Sequence, residues 1–474
     1  MPRVPRGHGE IHEKPFTQPH HTPRSGSRLP WILGWLLCAG WAAVFPFAST
    51  LVPQRAWGAM AAVGYLLAAG ASAWLPRRRA AVVSTAVALT GALVVPLIVM
   101  SVEYWAQSEV HVVQNSAVQL LHTGSPYLPH PGQIFEYNPY FPAMTLFGLP
   151  RAVLGSHGWL PTLLGDARIW FLAAFLGCLA ACHRLLRPDA DADAGAGADT
   201  DTDTSAGTGA DTRFGSGLAA LAAVTASPLV ALAAVTGGVD LPLIGCCCLG
   251  LALAGRGHAA GAGLVLALAC AIKWTAWPAL PVAALLLHQL YGRRAALRCA
   301  AIGTAVAAAL VVPSALITPR AVLEQVIRFP LGMSRMKTPA GSPLPGHLLA
   351  GLGPMGRAAS FALLAVGCLA VAAWLLRRPP RSTVQAADRL ALGVALAFLL
   401  APAGRFGYLQ LPLLLVLWPR LAAGAWPARP HWLTLRRVRA VPIRSLDPRG
   451  RLRGAGTWVT TTAAAIALRR RSTG

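Results

Sequence analysis

Long apolar segments separated by short polar turns follow one another along most of the chain. Several approach 20 residues, the length at which a helix crosses roughly 30 Å of hydrocarbon. The pattern predicts an all-α, polytopic transmembrane protein of about 10–12 spans. The predicted helices cover residues 31–52, 57–75, 80–100, 167–186, 218–235, 241–254, 259–272, 279–290, 299–317, 358–376, 390–401 and 406–418.

Composition agrees with a membrane protein, since 55% of the residues are hydrophobic and only 12% are charged. Average soluble chains carry about 25% charged residues. The formal net charge of +24 raises the question of a nucleic-acid ligand. The basic residues, however, form short clusters at the ends of apolar segments and are not interleaved with aromatic residues on one soluble unit. This distribution is the positive-inside bias of membrane proteins, and it argues against nucleic-acid binding.

The same bias decides how the shorter apolar segments are paired. If 259–290 were a single span, Arg293, Arg294 and Arg298 would lie outside the cell. A single span over 390–418 would likewise place the arginine-rich C-terminal tail outside. We therefore predict hairpins that turn at Trp274-Thr275 and at Pro402–Gly404. This topology gives about twelve spans and places both termini in the cytoplasm. We therefore expect a multi-pass protein of the cell membrane.

The chain divides into a basic cytoplasmic tail (1–30), a membrane domain (31–421) and a second basic cytoplasmic tail (422–474). Within the membrane domain we predict a large extracytoplasmic loop at 102–166 and a second one at 318–346. An acidic, low-complexity cytoplasmic loop at 188–213 is interpreted as a solvated spacer. The nine cysteines lie in or beside apolar segments without metal-site spacing, so no metal site is predicted.

The loop 102–166 concentrates the unusual polar chemistry of the chain. It contains the carboxylates Glu103, Glu109, Glu136 and Asp166 but only one arginine, Arg151. It also carries the runs Gly124-Ser125-Pro126-Tyr127 and Tyr137-Asn138-Pro139-Tyr140. A carboxylate at the water–membrane boundary can serve as a general base for a hydroxyl group.

Further ionisable residues fall at predicted outer ends of spans, namely Asp240, Lys273 and Arg405. The second outer loop carries basic residues as well, including Arg335, on the side where the bias disfavours them. Cations kept in such places indicate an anionic ligand such as phosphate. Local roles stay open for each one: an interfacial anchor for Lys273, a turn cap for Arg405 and a helix cap for Asp240.

A lipid-phosphate-linked sugar fits these groups, with a carboxylate as base and the cations stabilising the departing phosphate. Four further patterns stand out: Glu109 with Gln114–Ala117 and Leu120–Tyr127, then Phe135–Tyr140, Gly261–Lys273 and Arg405–Tyr408. Together they resemble glycosyltransferase family 87. The first is similar to the outer-loop pattern of that family, and the second to its continuation. The third resembles its glycine-started helix that ends in Lys, and the fourth its late outer turn.

The resemblance implies a GT-C type membrane fold and inverting transfer of a sugar, mannose by analogy, from a polyprenyl-phosphate donor to a lipid or glycan acceptor. It also implies an acidic catalytic base early in the first outer loop, where the family usually has Asp and this chain has Glu109. No cofactor is expected, and the expected partners are the donor, the acceptor and membrane lipids.

The residues assigned to these roles form three groups. The base is Glu109, with Glu103 and Asp166 in reserve. Lys273, Arg405, Arg168 and Arg335 are assigned to the donor phosphate. The sugar or acceptor cleft is assigned to Tyr127, Glu136, Tyr137, Asn138, Tyr140 and Asp240. Two other classes of function stay open, a transporter or lipid flippase and a non-catalytic scaffold of the cell envelope.

Overall fold

The computed structural model describes residues 28–155, 157–187 and 217–424. These residues form helices and loops, and the isolated bridge between Gly341 and Gly404 is the one β interaction among them. The predicted all-α fold is therefore confirmed. The predicted acidic loop 188–213 and nearly all of the two predicted tails lie outside the described residues.

The first three helices form an antiparallel layer. They are α1 (Leu29–Ala48), α2 (Val52–Trp74) and α3 (Arg79–Val102), and α3 contains a π-helical turn at Thr90–Val94. Small residues let α2 and α3 approach closely, since a Cβ built on Gly64 would lie 2.7 Å from the Cα of Gly91. Such close packing of glycines is common where helices meet in a membrane.

The large loop after α3 is mostly helical. It contains α4 (Ser108–Thr123), which ends at Gly124 in the left-handed conformation with φ 72°. Short helical segments follow at Ile134–Glu136, Pro142–Phe147, Leu149–Leu154 and Trp159–Leu164. The chain then enters α5 (Ala167–Leu186), where the Asp166 side chain accepts a hydrogen bond from the backbone N–H of Arg168.

The centre of the bundle follows. Helices α6 (Gly217–Ala226) and α7 (Pro228–Thr236) meet at an angle of 63°. The helix predicted over 218–235 is thus broken into two, because Pro228 cannot continue the hydrogen-bond pattern of the preceding turn. Next come α8 (Leu241–Gly255), α9 (Ala259–Ile272) and α10 (Ala279–Tyr291). Nearly every residue of α8 is buried, so this helix forms the middle of the core.

The remaining helices are α11 (Arg293–Ile317), α12 (Pro354–Arg377), α13 (Thr383–Leu400) and α14 (Gln410–Ala422). Between α11 and α12 lie short segments at Pro319–Val322, Leu323–Arg328 and Pro345–Ala350. The apolar parts of α11 and α12 are only 11% and 6% buried within the protein. These two helices therefore present most of their surface to lipid.

By length and composition, seven described helices can each cross a membrane, or eight if α6 and α7 count as one span. Helices α8, α9, α10 and α14 are shorter, with 15, 14, 13 and 13 residues. Together these twelve elements correspond to the twelve predicted segments. The protein is a multi-pass membrane protein.

Contacts between helix ends confirm both predicted hairpins. The Tyr291 hydroxyl at the end of α10 donates a 2.8 Å hydrogen bond to the Gly255 carbonyl, just before α9 begins. Arg420 near the end of α14 pairs with Asp388 near the start of α13. The chain thus reverses at 273–278 and again at 401–409. We call the end of the bundle that holds Arg187, Arg256 and Arg420 the basic end.

Candidate functional site

Glu109 and Arg405 form an ion pair at the end of the bundle opposite the basic end. The Arg405 Nη1 donates directly to the Glu109 Oε1, although 296 positions separate them in sequence. Glu109 lies in the first turn of α4, where the helix dipole favours a negative charge. The two side chains are 16% and 26% exposed, so water reaches both partners.

Residues 339–342 hold Arg405 in place. The Ser342 N–H donates to the Gly404 carbonyl and the Gly404 N–H donates to the Ala340 carbonyl, each at 3.0 Å. The Arg405 Nε adds a 3.3 Å hydrogen bond to the Pro339 carbonyl. These bonds join 339–342 to the turn between α13 and α14. The direction of the Arg405 side chain is therefore fixed by the backbone on both sides.

Lys273 and Asp240 form a second ion pair at the same end of the bundle. The Lys273 Nζ lies 2.8 Å from the Asp240 Oδ1, and the side chains are 11% and 19% exposed. Lys273 follows the last residue of α9, and Asp240 precedes the first residue of α8. Asp240 makes no capping hydrogen bond to its helix, so the cap considered from the sequence is not what the structure shows.

Two tyrosine rings flank the Lys273 ammonium. Its Nζ lies 4.7 Å from the centre of the Tyr408 ring and 5.7 Å from that of Tyr140. Burial alone would lower the pKa of Lys273, but the charge of Asp240, the nearby Tyr408 and the hydrogen bond to Asp240 together raise it. Lys273 is therefore a permanent cation at physiological pH.

Backbone contacts bring the two ion pairs into one cluster. The Gln107 N–H, two residues before Glu109, donates a 2.8 Å hydrogen bond to the Thr236 carbonyl, four residues before Asp240. Tyr408, three residues after Arg405, contacts Lys273. The structure thus gathers Glu109, Asp240, Lys273 and Arg405, which were predicted from separate parts of the chain. We call these four residues the ion-pair cluster.

Asp166 and Arg168 lie beside this cluster but are engaged with each other. The Arg168 Nη2 is 2.5 Å from the Asp166 Oδ2, and the two side chains are 1% and 7% exposed. Burial would raise the pKa of Asp166, but hydrogen bonds and charge from Arg168, with a bond from Ser101, lower it overall. The structure therefore places this pair inside the protein and not on an open cleft.

Four of the residues assigned to the cleft lie in contacts within the large loop or between it and residues 318–346. The Tyr127 hydroxyl donates a 2.9 Å hydrogen bond to the Tyr140 carbonyl, and burial raises the pKa of Tyr127. Asn138 accepts from the Tyr140 N–H at 3.1 Å. Glu136 accepts from the N–H groups of Gly132 and Gln133. Tyr137 stacks on Phe329 at 4.7 Å.

Glu103 and Arg335 are exposed and stand apart from these contacts. Glu103 follows the last turn of α3, and Arg335 lies in the second outer loop. Neither side chain forms an ion pair or hydrogen bond with another described residue. The structure thus brings neither Glu103 nor Arg335 into the ion-pair cluster.

Two contributors to the site were not singled out from the sequence. Tyr408 lies within a run that was quoted for its likeness to a family motif, but no role was assigned to it. Gln325 is fully buried; it donates to the Leu128 carbonyl at 2.6 Å and accepts from the Asn138 N–H at 3.0 Å. Gln325 therefore joins the two outer loops. A glutamine in a loop of mixed polarity gives no sequence signal for such a contact.

Comparison with known families shows to which family the chain belongs. The family model of glycosyltransferase family 87 matches residues 138–402, more than half of the chain. The chain belongs to glycosyltransferase family 87. The matched segment contains Tyr140, Asp240 and Lys273, whereas Glu109 lies before it and Arg405 lies just after it. No curated protein and no solved structure matches the chain.

Membership of family 87 confirms the resemblance seen in the sequence and makes the chain a membrane glycosyltransferase. The structure adds that residues on either side of the matched segment complete the ion-pair cluster. Both flanking residues are tied to the segment, Glu109 through the Gln107–Thr236 hydrogen bond and Arg405 through the bonds to residues 339–342.

Proposed function

We propose that this family 87 protein transfers a sugar from a polyprenyl-phosphate donor to a hydroxyl group of an extracytoplasmic lipid or glycan acceptor. The observation that carries this proposal is the ion-pair cluster. Two carboxylates and two cations from four distant parts of the chain meet at one end of a membrane bundle. This set supplies both a proton acceptor and a binding site for phosphate.

Glu109 is the proposed general base. Its partner Arg405 is 26% exposed, whereas Lys273, the partner of Asp240, is only 11% exposed. The Gln107–Thr236 hydrogen bond fixes the start of α4 just before Glu109. A carboxylate that is both accessible and fixed can take the proton of an acceptor hydroxyl as the hydroxyl oxygen attacks.

Lys273 and Arg405 are the proposed phosphate ligands. Each cation is neutralised by a carboxylate, yet each keeps donors for a further anion. An ammonium group has three N–H donors and a guanidinium has five. Lys273 donates to Asp240, and Arg405 uses its Nη1 and Nε. The Nη2 of Arg405 makes no hydrogen bond with the described part of the chain, so it can donate to a phosphate oxygen.

The reaction follows from these roles. The acceptor O–H gives its proton to the Glu109 carboxylate, and its oxygen forms a bond to the anomeric carbon of the sugar. The bond from that carbon to the phosphate oxygen breaks, and the lipid phosphate leaves with one additional negative charge. Lys273 and Arg405 stabilise this charge as it develops. A single displacement of this kind inverts the anomeric configuration.

An apolar groove beside the site suits the lipid part of the donor. It has a volume of about 710 Å³. Its lining residues are Leu146, Phe147, Leu149, Pro150, Val153, Leu154, Trp170, Ala173, Ala174 and Leu268. Leu268 precedes Lys273 by five residues on the same chain segment, which corresponds to about 7 Å along a helix. A phosphate at Lys273 would therefore place the first isoprene units at the level of the groove.

Filling this groove tests the assignment. Ala173 is exposed on α5 and lines the groove. We expect Ala173→Trp to raise the KM for a long-chain polyprenyl donor roughly tenfold, because about two buried CH₂ groups at about 0.8 kcal/mol each lose their contacts. The KM for a donor with a single isoprene unit should rise much less, because that donor makes few contacts with the groove. Steady-state kinetics with the two donors measures the difference.

A matched substitution controls for the cost of a large side chain at the lipid surface. Ala43 is an exposed alanine on α1, outside the groove. Ala43→Trp should leave both KM values unchanged. Equal effects of Ala173→Trp on the long and the short donor would show that the groove does not hold the chain.

The proposed sidedness rests on the distribution of charge between the two ends of the bundle. Arginines cluster at the basic end, which the positive-inside bias assigns to the cytoplasm. The ion-pair cluster lies at the opposite end, where Asp240 balances the charge of Lys273 and Glu109 balances that of Arg405. We therefore assign the site to the extracytoplasmic face of the cell membrane. Mannose is the proposed sugar, by likeness to the family.

A transfer assay tests the proposed function. Purified protein in lipid nanodiscs is given polyprenyl-phosphate mannose, radiolabelled in the sugar, and a hydroxyl-bearing glycolipid. We expect label to pass to the acceptor while unglycosylated polyprenyl phosphate accumulates in equal amount. If no label is transferred, the same protein is placed in proteoliposomes. Movement of intact donor between leaflets would then identify a flippase. If the donor is neither cleaved nor moved, the scaffold role would be favoured.

A further inference from the structure

Arg168 is the most heavily engaged buried cation among the described residues. Its side chain is 1% exposed, and its guanidinium contacts Asp166 at 2.9 Å through Nε and at 2.5 Å through Nη2. It also donates to the carbonyls of Trp105 at 2.9 Å and Val235 at 2.5 Å, both through Nη1. A 3.3 Å contact to the Ser101 hydroxyl completes the set.

The two carbonyls belong to segments that carry the ion-pair cluster. Trp105 lies in the linker between α3 and α4, four residues before Glu109. Val235 lies in the last turn of α7, five residues before Asp240. The Gln107–Thr236 hydrogen bond runs directly alongside. One guanidinium nitrogen therefore bridges the backbone that leads to the proposed base and the backbone that leads to the partner of Lys273.

The chemistry of Arg168 suits this bridging role better than phosphate binding. A buried ion pair costs several kcal/mol in desolvation and is weak evidence for a stabilising role alone. The planar guanidinium presents donors in fixed directions, which a flexible ammonium does not. Its Nε, Nη1 and Nη2 are already engaged with protein acceptors. Arg168 is thus suited to fixing distances within the protein.

We propose that Arg168, held by Asp166, is a positioning residue that sets the distance between Glu109 and the Asp240–Lys273 pair. The role rests on the proposed function, because the distance it sets is the one between the base and the phosphate site. Arg168 itself does not touch the donor or the acceptor. It acts through the backbone at Trp105 and Val235.

Arg168→Lys tests this role with the charge of the pair retained. Lysine still neutralises Asp166 but cannot replace the bonds to both carbonyls. We expect kcat to fall at least about tenfold, because a small misplacement of a catalytic group can cost up to roughly 10²-fold. The donor KM should stay within about twofold, since Lys273 and Arg405 are untouched. Arg184→Lys, an exposed position on the same helix, should change neither constant.

A crosslink supplies a readout that does not depend on catalysis. A Cβ at Gly237 would lie 3.8 Å from the Cβ of Gln107, which is the usual separation in a disulfide. The pair Gln107→Cys and Gly237→Cys should crosslink readily when Arg168 is present and several-fold more slowly with Arg168→Lys. Mass spectrometry of peptides identifies this bond among the native cysteines.

The same crosslink should rescue the variant. Under oxidising conditions it should restore kcat of Arg168→Lys to the level of the double-cysteine background, and a reductant should reverse the gain. An unchanged kcat for Arg168→Lys, or crosslinking at the same rate with and without Arg168, would overturn the proposal. If the wild-type protein shows no transfer at all, the proposed function fails. The crosslinking rates would then still show whether Arg168 holds residues 107 and 237 together.

Discussion

Glu109→Gln should reduce the rate of sugar transfer by roughly 10²–10⁴-fold, the usual contribution of a general base. Glutamine has almost the same shape as glutamate and can still accept a hydrogen bond from Arg405, but it cannot take the proton of the acceptor hydroxyl. The donor KM should change little, because both cations remain. Steady-state transfer of label from polyprenyl-phosphate mannose measures kcat and KM separately.

The control for this variant is a partly exposed ion pair at the basic end. Asp388 and Arg420 are 33% and 26% exposed and join α13 to α14, far from the cluster. Asp388→Asn should keep transfer near the wild-type rate. Glu109→Asp is informative as well, because it keeps a carboxylate at this position; it should retain more activity than Glu109→Gln. Undiminished transfer by Glu109→Gln would remove Glu109 from the role of base.

Lys273→Met should raise the donor KM by about 100-fold, as expected when a buried, hydrogen-bonded cation at a binding interface is lost at a cost of roughly 2–5 kcal/mol. The value of kcat should fall too, because Lys273 stabilises the charge on the departing phosphate. The raised pKa of Lys273 means that this cation persists to high pH. Lys273→Arg, which keeps the charge, should lose less. Kinetics over a range of donor concentrations measures these effects.

A double variant separates binding from folding. Lys273→Met alone leaves Asp240 as a poorly solvated charge without its partner, which destabilises the fold. Lys273→Met with Asp240→Asn removes that charge and should recover much of the thermal stability. The donor KM should nevertheless stay high. Recovery of the wild-type KM in the double variant would show that Lys273 acts through the fold and does not bind phosphate.

The spans were predictable because their signal is local. A run of about 20 apolar residues rarely forms anything other than a membrane helix. The clusters of arginine indicated that the chain reverses at Trp274-Thr275 and at Pro402–Gly404. The bend at Ser227 was missed because the apolar run there continues through Pro228 without a charged break. Proline interrupts the hydrogen bonds of a helix with little change in its hydropathy.

The site was predictable in part, for a related reason. Glu109, Asp240, Lys273 and Arg405 stand out because a charge at the end of an apolar segment is costly and therefore informative. Their pairing was not predictable, because it joins positions up to 296 residues apart. The tyrosines of the large loop stand out equally, yet Tyr127 and Tyr137 are both packed against residues of 318–346. Residue type alone does not distinguish an aromatic cleft from an aromatic core.

The roles of Asp166 and Arg168 were also not predictable from residue type alone. Both carry charges near the outer end of a span, so the sequence suggested a reserve base and a phosphate ligand. They lie two positions apart at the start of α5 and instead bind each other. Arg168 also donates hydrogen bonds to two backbone carbonyls. A pattern can place a charge at a membrane boundary, but only the fold shows what neutralises it.

The side of the membrane on which transfer occurs tests the central claim most directly. His130→Cys marks the end that holds the ion-pair cluster, and Arg381→Cys marks the basic end; both positions are exposed. Each variant is reconstituted into proteoliposomes in a fixed orientation, labelled from outside with a membrane-impermeant maleimide and supplied outside with a water-soluble acceptor. We predict product only in the orientation that labels the His130→Cys marker. Product that instead accompanies labelling of the Arg381→Cys marker would contradict the assignment of catalysis to Glu109, Lys273 and Arg405.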